Sequence, residues 1–264
     1  EYISDLRRGL DQVYAPYRAI GKKDPNSQYL QLNTHLLQIE NEFYSVIRPK
    51  CVSRSGEPPL HALKDRGIEY VEIRCLDLNP FLPNGIDKQT IQFLDIFLLY
   101  CLLSDSPCSS IQEQKDIASN HNATVYRGRD CSLLLRKNNA PISLRDWAQQ
   151  ILEKMKPLAN LMDRAHQEKE FSKALDVMEM RLKNSNRTPS AMILEQLRSN
   201  DESHQEFGIR KAKEHTNYFS KQKPDKVIIE KYSNLARLSI EEQRRIEDND
   251  TLTFDEYLAD YYDQ

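Results

Sequence analysis

The chain has 264 residues, which is enough for one large domain or two small ones with a substantial buried core. It carries 37 basic and 40 acidic residues, so it lacks the basic excess expected of a protein whose main role is to bind nucleic acid. Only 7 residues are glycine, and neither the Gly-x-Gly-x-x-Gly pattern nor the P-loop pattern occurs.

Residues 1–20 have apolar side chains at helical spacing, which predicts a short amphipathic helix before a turn at residues 21–27. From Leu37 to Arg48 apolar and polar residues alternate, which predicts a strand. Its polar face is either solvated or lines a site, and it comprises Gln38, Glu40, Glu42, Tyr44 and Arg48. The prolines and glycine of residues 49–60 predict a loop, and a short helical turn follows at residues 61–66.

Residues 67–83 are predicted to form one strand, which Gly67 opens and Asn79-Pro80 closes. Strand alternation places Glu72 and Arg74 on the same face, roughly 7 Å apart along the strand. A carboxylate can bind Mg²⁺ and a guanidinium can bind phosphate, so this pair suits a metal–nucleotide site. A structural ion pair beside the core is the alternative interpretation.

The second half of the chain is predicted to be mainly helical. The apolar run 93–103 predicts a buried helix that packs on the sheet; it is too short to cross a bilayer, and Asp95 interrupts it. Residues 109–138 predict a polar helix and a loop, and from Ile142 the chain is predicted to be helical throughout. Helix starts are predicted where capping boxes occur, at Ser143 with Asp146, Ser239 with Glu242, and Thr253 with Glu256.

The five cysteines are odd in number and fit no zinc-binding spacing. They are predicted to be free thiols in a reducing compartment, with a Cys101–Cys108 disulfide as the alternative. The segment behind Glu1 is charged and has no apolar signal region, which favours a cytoplasmic location. A start at Glu1 instead of Met suggests a piece of a longer polypeptide.

Two motifs carry a family resemblance. The first is Gly67-Ile-Glu-Tyr-Val-Glu-Ile-Arg-Cys-Leu-Asp-Leu-Asn-Pro-Phe-Leu-Pro83. The second is Leu37-Gln-Ile-Glu-Asn-Glu-Phe-Tyr-Ser-Val-Ile-Arg-Pro-Lys50, followed by Arg54-Ser-Gly-Glu57. Both resemble segments of the proteobacterial glutamate–cysteine ligases (γ-glutamylcysteine synthetases). The resemblance is strong over most of residues 1–140 and weak over the helical remainder.

The resemblance implies that the chain is the C-terminal portion of an ATP-dependent ligase. Such a ligase joins the γ-carboxylate of L-glutamate to L-cysteine through a γ-glutamyl phosphate, the first step of glutathione biosynthesis. The implied fold is α+β: a small antiparallel sheet portion of a glutamine-synthetase-like fold, followed by a largely α-helical C-terminal region. Residues 1–140 would be the incomplete sheet-containing part of the catalytic domain, and residues 141–264 the helical region.

The resemblance also implies roles for particular residues. Glu72 would ligate Mg²⁺, Arg74 would be catalytic and bind the ATP phosphates, and Tyr44 would contact the incoming cysteine. Arg48, on the predicted face of Tyr44, could assist with an anion. The family usually has Lys-Pro after its Gly-Arg element, whereas this chain has Gly128-Arg129-Asp130-Cys131. Arg127 and Arg129 are therefore interpreted as exposed loop charges.

The expected ligands are L-glutamate, L-cysteine, ATP and Mg²⁺, with no nucleic acid and no membrane. The other metal-binding carboxylates are implied to lie in the N-terminal half of the enzyme. That half is the expected partner, and the chain alone is expected not to turn over. Two other functions remain open: a non-catalytic helical interaction module that retains part of a ligase sheet, and another carboxylate–amine ligase. Occlusion of the Glu72–Arg74 face by the chain's own helices would argue against binding.

Overall fold

The computed structural model describes residues 2–54 and 56–263, so Ser55 of the second motif lies outside the described residues. Helices dominate the described part. They are α1 Tyr2–Asp11, α2 Ala15–Ile20, α3 Pro59–Arg66, α4 Lys88–Leu103, α5 Ile111–Arg127, α6 Leu144–His166, α7 Glu170–Lys183, α8 Pro189–Asn200, α9 His204–Ser220, α10 Lys226–Asn249 and α11 Phe254–Asp263, with short 3₁₀ helices at Glu40–Glu42 and Ser185–Arg187. The strands are β1 Ile47–Lys50, β2 Tyr70–Ile73, β3 Leu134–Lys137 and β4 Ala140–Ser143.

The predicted α+β class is confirmed, because β1 pairs with β2 and β3 pairs with β4 in two small antiparallel sheets amid the helices. Contacts divide the chain into two compact units. The first consists of Glu1–Asp77 and Pro224–Gln264, and the second is Leu78–Lys223. The predicted boundary between residues 140 and 141 falls inside β4, and the helices α1 to α5 precede it. As a statement about domains, the boundary stays a prediction.

The first unit joins the beginning and the end of the chain. Cys51, Ala62 and Leu63 are buried together, with side chains of α1 packed against them. The last helix, α11, is tied to the loop after α2. The Tyr262 hydroxyl donates to the Gln38 carbonyl at 2.8 Å and accepts from the Asn33 side chain at 2.8 Å. No sequence pattern pointed to this pairing of segments more than 200 residues apart.

The predicted strand from Leu37 to Arg48 is wrong over most of its length. Residues Glu40–Glu42 form a 3₁₀ helix, and the strand begins only at Ile47. The Glu40 side chain turns inward, where its Oε2 accepts a hydrogen bond from the Leu60 backbone N–H at 2.6 Å, and Glu40 is only 6% exposed. The alternation of apolar and polar residues in this segment therefore belongs to a turn that buries the Glu40 carboxylate, and not to a strand.

Pro49 lies inside β1, although its presence predicted a loop from that residue onward. The backbone N–H of Arg74 donates to the Val46 carbonyl at 2.8 Å, so residues 46 and 74 face each other as a hydrogen-bonded pair. Such pairs alternate with non-hydrogen-bonded pairs in an antiparallel ladder. Pro49, opposite Val71, takes a non-hydrogen-bonded position where the missing N–H costs no ladder bond.

The predicted strand at residues 67–83 is shorter in the structure, where β2 covers only Tyr70–Ile73. β2 ends with its partner, because β1 offers only four residues for pairing. Gly67 ends α3 with φ of +78°, a conformation that other residues rarely adopt, and its N–H donates to the Leu63 carbonyl at 3.0 Å. The predicted opening at Gly67 is therefore a helix end that turns the chain into β2.

The second unit is built on three helices. The predicted buried helix over the apolar run exists as α4, but it packs against α6 and α7 and not on the sheet. The shared core contains Ile96, Leu152, Met155, Ala159, Phe171 and Leu175. Asp163 of α6 is buried and accepts hydrogen bonds from the backbone N–H groups of Phe171 and Ser172, which starts α7 without a cap from its own preceding residue.

The hairpin β3–β4 was not predicted. β3 falls in the stretch 109–138 that was predicted to be a polar helix and a loop, and β4 ends at Ser143, inside the region predicted to be helical from Ile142. The two connecting residues of the hairpin, Asn138 and Asn139, have φ of 52° and 62°, the left-handed conformation that a type I′ hairpin turn needs. Of the three predicted capping boxes, Ser143 and Thr253 start helices. Ser239 instead lies inside α10, where Glu242 pairs with Arg245.

The five cysteines are all described, and none of them forms a disulfide, so the predicted free thiols are confirmed. Among the described residues, no helix combines the length and the apolar character needed to cross a bilayer.

Glu40 provides a test of the first unit. Burial raises the pKa of the Glu40 carboxyl, while the Leu60 N–H and the neighbouring His61 act in the opposite direction. A raised carboxyl pKa in the folded state means that wild-type stability falls as the pH rises through that pKa. Glu40→Gln keeps an oxygen acceptor without the charge. The stability of the variant relative to wild type should therefore increase as the pH rises above about 4.3, where the carboxyl of the unfolded chain ionises.

The measurement is urea unfolding of both proteins at each pH, with Glu42→Gln as the matched control on the same turn. A difference in unfolding free energy between Glu40→Gln and wild type that stays constant with pH would contradict the assigned burial penalty.

Candidate functional site

The candidate site is one face of the β1–β2 sheet. The register pairs Arg48 with Glu72 and Lys50 with Tyr70. Residues directly opposite each other in an antiparallel pair point to the same side, and Arg74 follows Glu72 at the two-residue strand period. Arg48, Lys50, Glu72 and Arg74 therefore share one face, and we call these four residues the Glu72 cluster.

Ion pairs organise the Glu72 cluster. The Arg74 Nη2 atom lies 3.0 Å from Glu72 Oε1, and the Lys50 Nζ atom lies 3.6 Å from Glu72 Oε2. The adjacent Arg74 guanidinium is the main reason that the pKa of Glu72 is lowered, with smaller contributions from Lys50 and Arg48. Glu72 reciprocally raises the pKa of Arg74. The carboxylate is thus held ionised, as a metal ligand or counter-ion must be.

Two polar atoms in the Glu72 cluster are buried without a hydrogen-bond partner in the described part of the chain. They are Arg48 Nε and Glu72 Oε2. Arg48 is only 5% exposed. Buried polar atoms in folded proteins are nearly always hydrogen-bonded. An exception needs an explanation, such as a ligand or ion that binds at the atom. The two orphaned atoms have opposite character, since one donates and the other accepts.

Tyr44 lies beside the cluster. Its ring is 4.7 Å from the central carbon of the Arg74 guanidinium, which is a cation–π contact, and the residue is 78% exposed. Tyr44 is outside any strand, so the predicted strand face is wrong, but the structure nevertheless brings Tyr44 next to Arg74. The ring packs on the guanidinium, and Tyr44 contributes, after Glu72, to raising the pKa of Arg74.

The face is open rather than sealed. About a third of each side chain of the central pair is exposed, 33% for Glu72 and 30% for Arg74. The prediction that Glu72 and Arg74 are neighbours on a single face is confirmed by their ion pair. Occlusion by the chain's own helices, which would have argued against binding, is not observed at this pair.

Of the other charged residues weighed from the sequence, three have structural partners. Glu40 is buried against the Leu60 N–H, and Glu42 accepts from the Gln38 N–H at 2.6 Å. Arg127 pairs with Asp130 at 2.6 Å and is mostly exposed, but it is the last residue of α5 and so the predicted loop position is wrong. Arg129 lines a separate cavity of about 340 Å³ in the second unit. These contacts agree with leaving all four residues out of the site.

Metal-binding capacity within the described residues is limited. Among them there is no group of three or more His, Cys, Asp or Glu side chains that could hold a metal ion. Glu72 Oε2 nevertheless has a free lone pair and is the kind of hard oxygen that Mg²⁺ prefers. The described residues could therefore supply one ligand of a Mg²⁺ ion but not a complete set of ligands.

Sequence reasoning missed Lys50. A signal was present, because Arg48 and Lys50 are two residues apart and share a strand face if the motif that contains them pairs with the motif of Glu72. That pairing of the two motifs was not considered, and Pro49 between the two residues was interpreted as the start of a loop.

The comparisons with known proteins point to one family. Residues 1–124 match the family model described as glutamate–cysteine ligase. Over 260 residues, 98% of the chain, it is 44% identical to the glutamate–cysteine ligase of Pseudomonas fluorescens and 42% identical to that of Azotobacter vinelandii. A crystal structure of the glutamate–cysteine ligase of Francisella tularensis in complex with AMP superposes with a TM-score of 0.90 at 32% identity.

The chain spans about half the length of these relatives, 49% of the two curated proteins and 52% of the crystallised chain, while nearly all of it is covered. An α+β chain that follows a ligase structure so closely is a relative of the carbon–nitrogen ligases. More specifically, the chain belongs to the glutamate–cysteine ligase family, and the resemblance carried by its two motifs is confirmed.

Proposed function

We propose that the chain is the C-terminal portion of a glutamate–cysteine ligase and supplies part of its nucleotide site. The observation that carries this proposal is the Glu72 cluster, in which a carboxylate with a free lone pair lies among cations on an open sheet face. The reaction would join the γ-carboxylate of L-glutamate to the amine of L-cysteine at the expense of ATP, as the first step of glutathione biosynthesis. A relative that was crystallised with AMP supports the use of an adenine nucleotide.

Arg74 is proposed to be the catalytic residue that stabilises the transferring phosphoryl group. A carboxylate is a poor electrophile, and a γ-carboxylate oxygen that attacks the terminal phosphorus of ATP expels ADP and becomes an acyl phosphate. Negative charge is spread over the phosphoryl oxygens during this transfer, and preorganised cations stabilise it. A guanidinium offers two parallel N–H donors for phosphate oxygens, and the Tyr44 ring and Glu72 hold it in place.

Glu72 is proposed to ligate one Mg²⁺ ion through its unpartnered Oε2. When bound, Mg²⁺ would neutralise charge on the phosphates. The single carboxylate at this face needs companions, since Mg²⁺ requires octahedral coordination and usually keeps several waters. The companions are proposed to come from the N-terminal half of the enzyme, which makes that half the partner of this chain.

Tyr44 is proposed to position cysteine. The residue is 78% exposed, so a substrate carboxylate can reach its hydroxyl for a hydrogen bond while the ring stays against Arg74. The cysteine amine would then attack the acyl carbon, phosphate would leave, and the amide would form after loss of the amine proton. Holding the amine close to the acyl phosphate is a proximity effect. The unpaired cysteines of the chain support a reducing location such as the cytoplasm.

In a full-length ligase that contains this chain, Arg74→Lys should lower kcat roughly 100-fold, because a lysine cannot reproduce the two-pronged contact with the phosphoryl oxygens. Coupled ADP release measures the rate. Arg237→Lys, at an exposed α10 residue paired with Glu241, is the matched control and should leave kcat unchanged. An unchanged kcat in Arg74→Lys would remove Arg74 from the chemistry.

The 264-residue chain by itself should not release ADP with glutamate, cysteine and Mg·ATP, because one carboxylate cannot hold the metal ions of the reaction. Adding the separately expressed N-terminal half of the Pseudomonas fluorescens relative should restore activity. Robust turnover by the chain alone would overturn the proposed division of the site between two halves.

Another carboxylate–amine ligase is the second candidate, since it would share the metal–nucleotide face but not the role of Tyr44. In the full-length ligase, Tyr44→Phe should raise KM for cysteine about tenfold, since each 1.4 kcal/mol of lost binding is a factor of ten. KM for ATP should stay unchanged, since the ring remains against Arg74. Tyr126→Phe, at an 85% exposed residue of α5, is the control.

A preferred amine other than cysteine in direct competition, together with an unchanged KM for cysteine in Tyr44→Phe, would favour that second candidate. A non-catalytic interaction module would instead show no nucleotide-dependent turnover when both halves are present.

A further inference from the structure

The second unit contains a cavity that the proposed function does not use. Its volume is about 340 Å³, which is large enough for a small organic molecule. The residues that line it all belong to Leu78–Lys223, and most of the wall comes from α4, α6 and α7, beside the core that these helices share. The apolar side chains of the wall include Phe93, Phe97, Ile151, Leu152, Met178 and Leu182.

The same wall carries positive charge that the chain does not neutralise. Arg129, Arg145 and Arg181 line the cavity, and no carboxylate of the described residues lies within ion-pair distance of these three. The one acidic residue of the wall, Asp130, is paired with Arg127 at 2.6 Å. An apolar cavity with three unpaired guanidinium groups in its wall is complementary to a ligand that has an apolar body and an anionic group.

Two of the guanidinium groups make only weak contacts with neighbouring residues of the wall. Arg145 Nη2 donates to Cys131 Sγ at 3.8 Å, and Arg181 Nη1 donates to Met178 Sδ at 3.7 Å. Sulfur is a weak acceptor, and a guanidinium has five N–H donors. Most donors of both groups therefore remain available to a ligand, and a carboxylate can accept two parallel hydrogen bonds from one guanidinium.

The apolar part of the wall favours an aromatic ligand. The rings of Phe93 and Phe97 are stacked, with centroids 6.1 Å apart and planes inclined by 12°. Both rings belong to the wall, so they offer a ligand an aromatic surface against which a further ring can pack. Transfer of an apolar ring from water into such surroundings is favourable.

We propose that this cavity is a binding site for an aromatic carboxylate. Its ring would pack against Phe93 and Phe97, and its carboxylate would accept hydrogen bonds from Arg145 and Arg181. The cavity shares no residue with the Glu72 cluster. The inference therefore adds a second ligand site and does not rest on the proposed function.

The test is calorimetric titration of a full-length ligase that contains this chain, with sodium 2-naphthoate as the probe. The matched neutral probe is 2-naphthalenemethanol, which has the same rings without the charge. We expect 2-naphthoate to bind about tenfold more tightly than the alcohol, and its binding to weaken as ionic strength rises. Saturating ATP should leave its affinity unchanged.

Variants assign the binding to the cavity. Arg145→Met and Arg181→Met should each weaken 2-naphthoate about tenfold and leave the affinity for the alcohol unchanged. Arg198→Met, at an exposed arginine of α8 outside the wall, is the matched control and should change neither. Ala148→Phe adds a ring to the wall and should abolish binding of both probes; if that variant does not fold by circular dichroism, the arginine variants decide.

Each of the following results would overturn the inference. Equal affinities for 2-naphthoate and the alcohol would show that the charged wall does not select the ligand. Equal affinities of Arg145→Met and Arg198→Met for 2-naphthoate would show that the anion binds elsewhere. Displacement by ATP, or no binding of 2-naphthoate, would show that the cavity is not a ligand site of its own. The proposed function is tested separately, by the kcat of Arg74→Lys.

Discussion

The candidate site depends on the antiparallel pairing of β1 with β2. The pair is only four residues long, but its register places Arg48 opposite Glu72 and leaves Arg74 one step beyond. A shift of one residue would move the side chains of one strand to the other face and separate the carboxylate from Arg48 and Lys50. Gly67 ends α3 so that the chain can turn into β2, and Pro49 sits at a position where the ladder needs no N–H. Local backbone chemistry in both motifs therefore serves one register.

The charges that this register brings together determine which ligands the face can bind. One carboxylate among three cations keeps its negative charge, since the pKa of Glu72 is lowered by Arg74, yet the face as a whole remains positive. Such a face suits a ligand with several negative charges that arrives together with its own metal. The described residues contain no group that could hold a metal ion by itself, and the chain spans about half the length of its relatives. Both observations fit the proposal that further carboxylates come from an N-terminal half.

Sequence reasoning found the Glu72–Arg74 pair but not the segments that pack around it. Glu72 and Arg74 were placed correctly because strand alternation is a local property. Lys50 was missed because its position depends on which distant segment pairs with β1. Glu40 was misplaced because alternation of apolar and polar residues does not distinguish a strand from a turn that buries one carboxylate. Ser239 and Thr253 have the same capping pattern, but only Thr253 follows a non-helical segment, so only Thr253 starts a helix. Long-range pairing, such as that of α11 with the loop near Asn33, left no local pattern to detect.

The most direct test of the central claim is a crystal structure of the 264-residue chain with a non-hydrolysable ATP analogue. The account predicts that phosphate oxygens lie within hydrogen-bond distance of the Arg74 guanidinium on the β1–β2 face. Phosphates bound at any other surface, with Arg74 free of them, would contradict it.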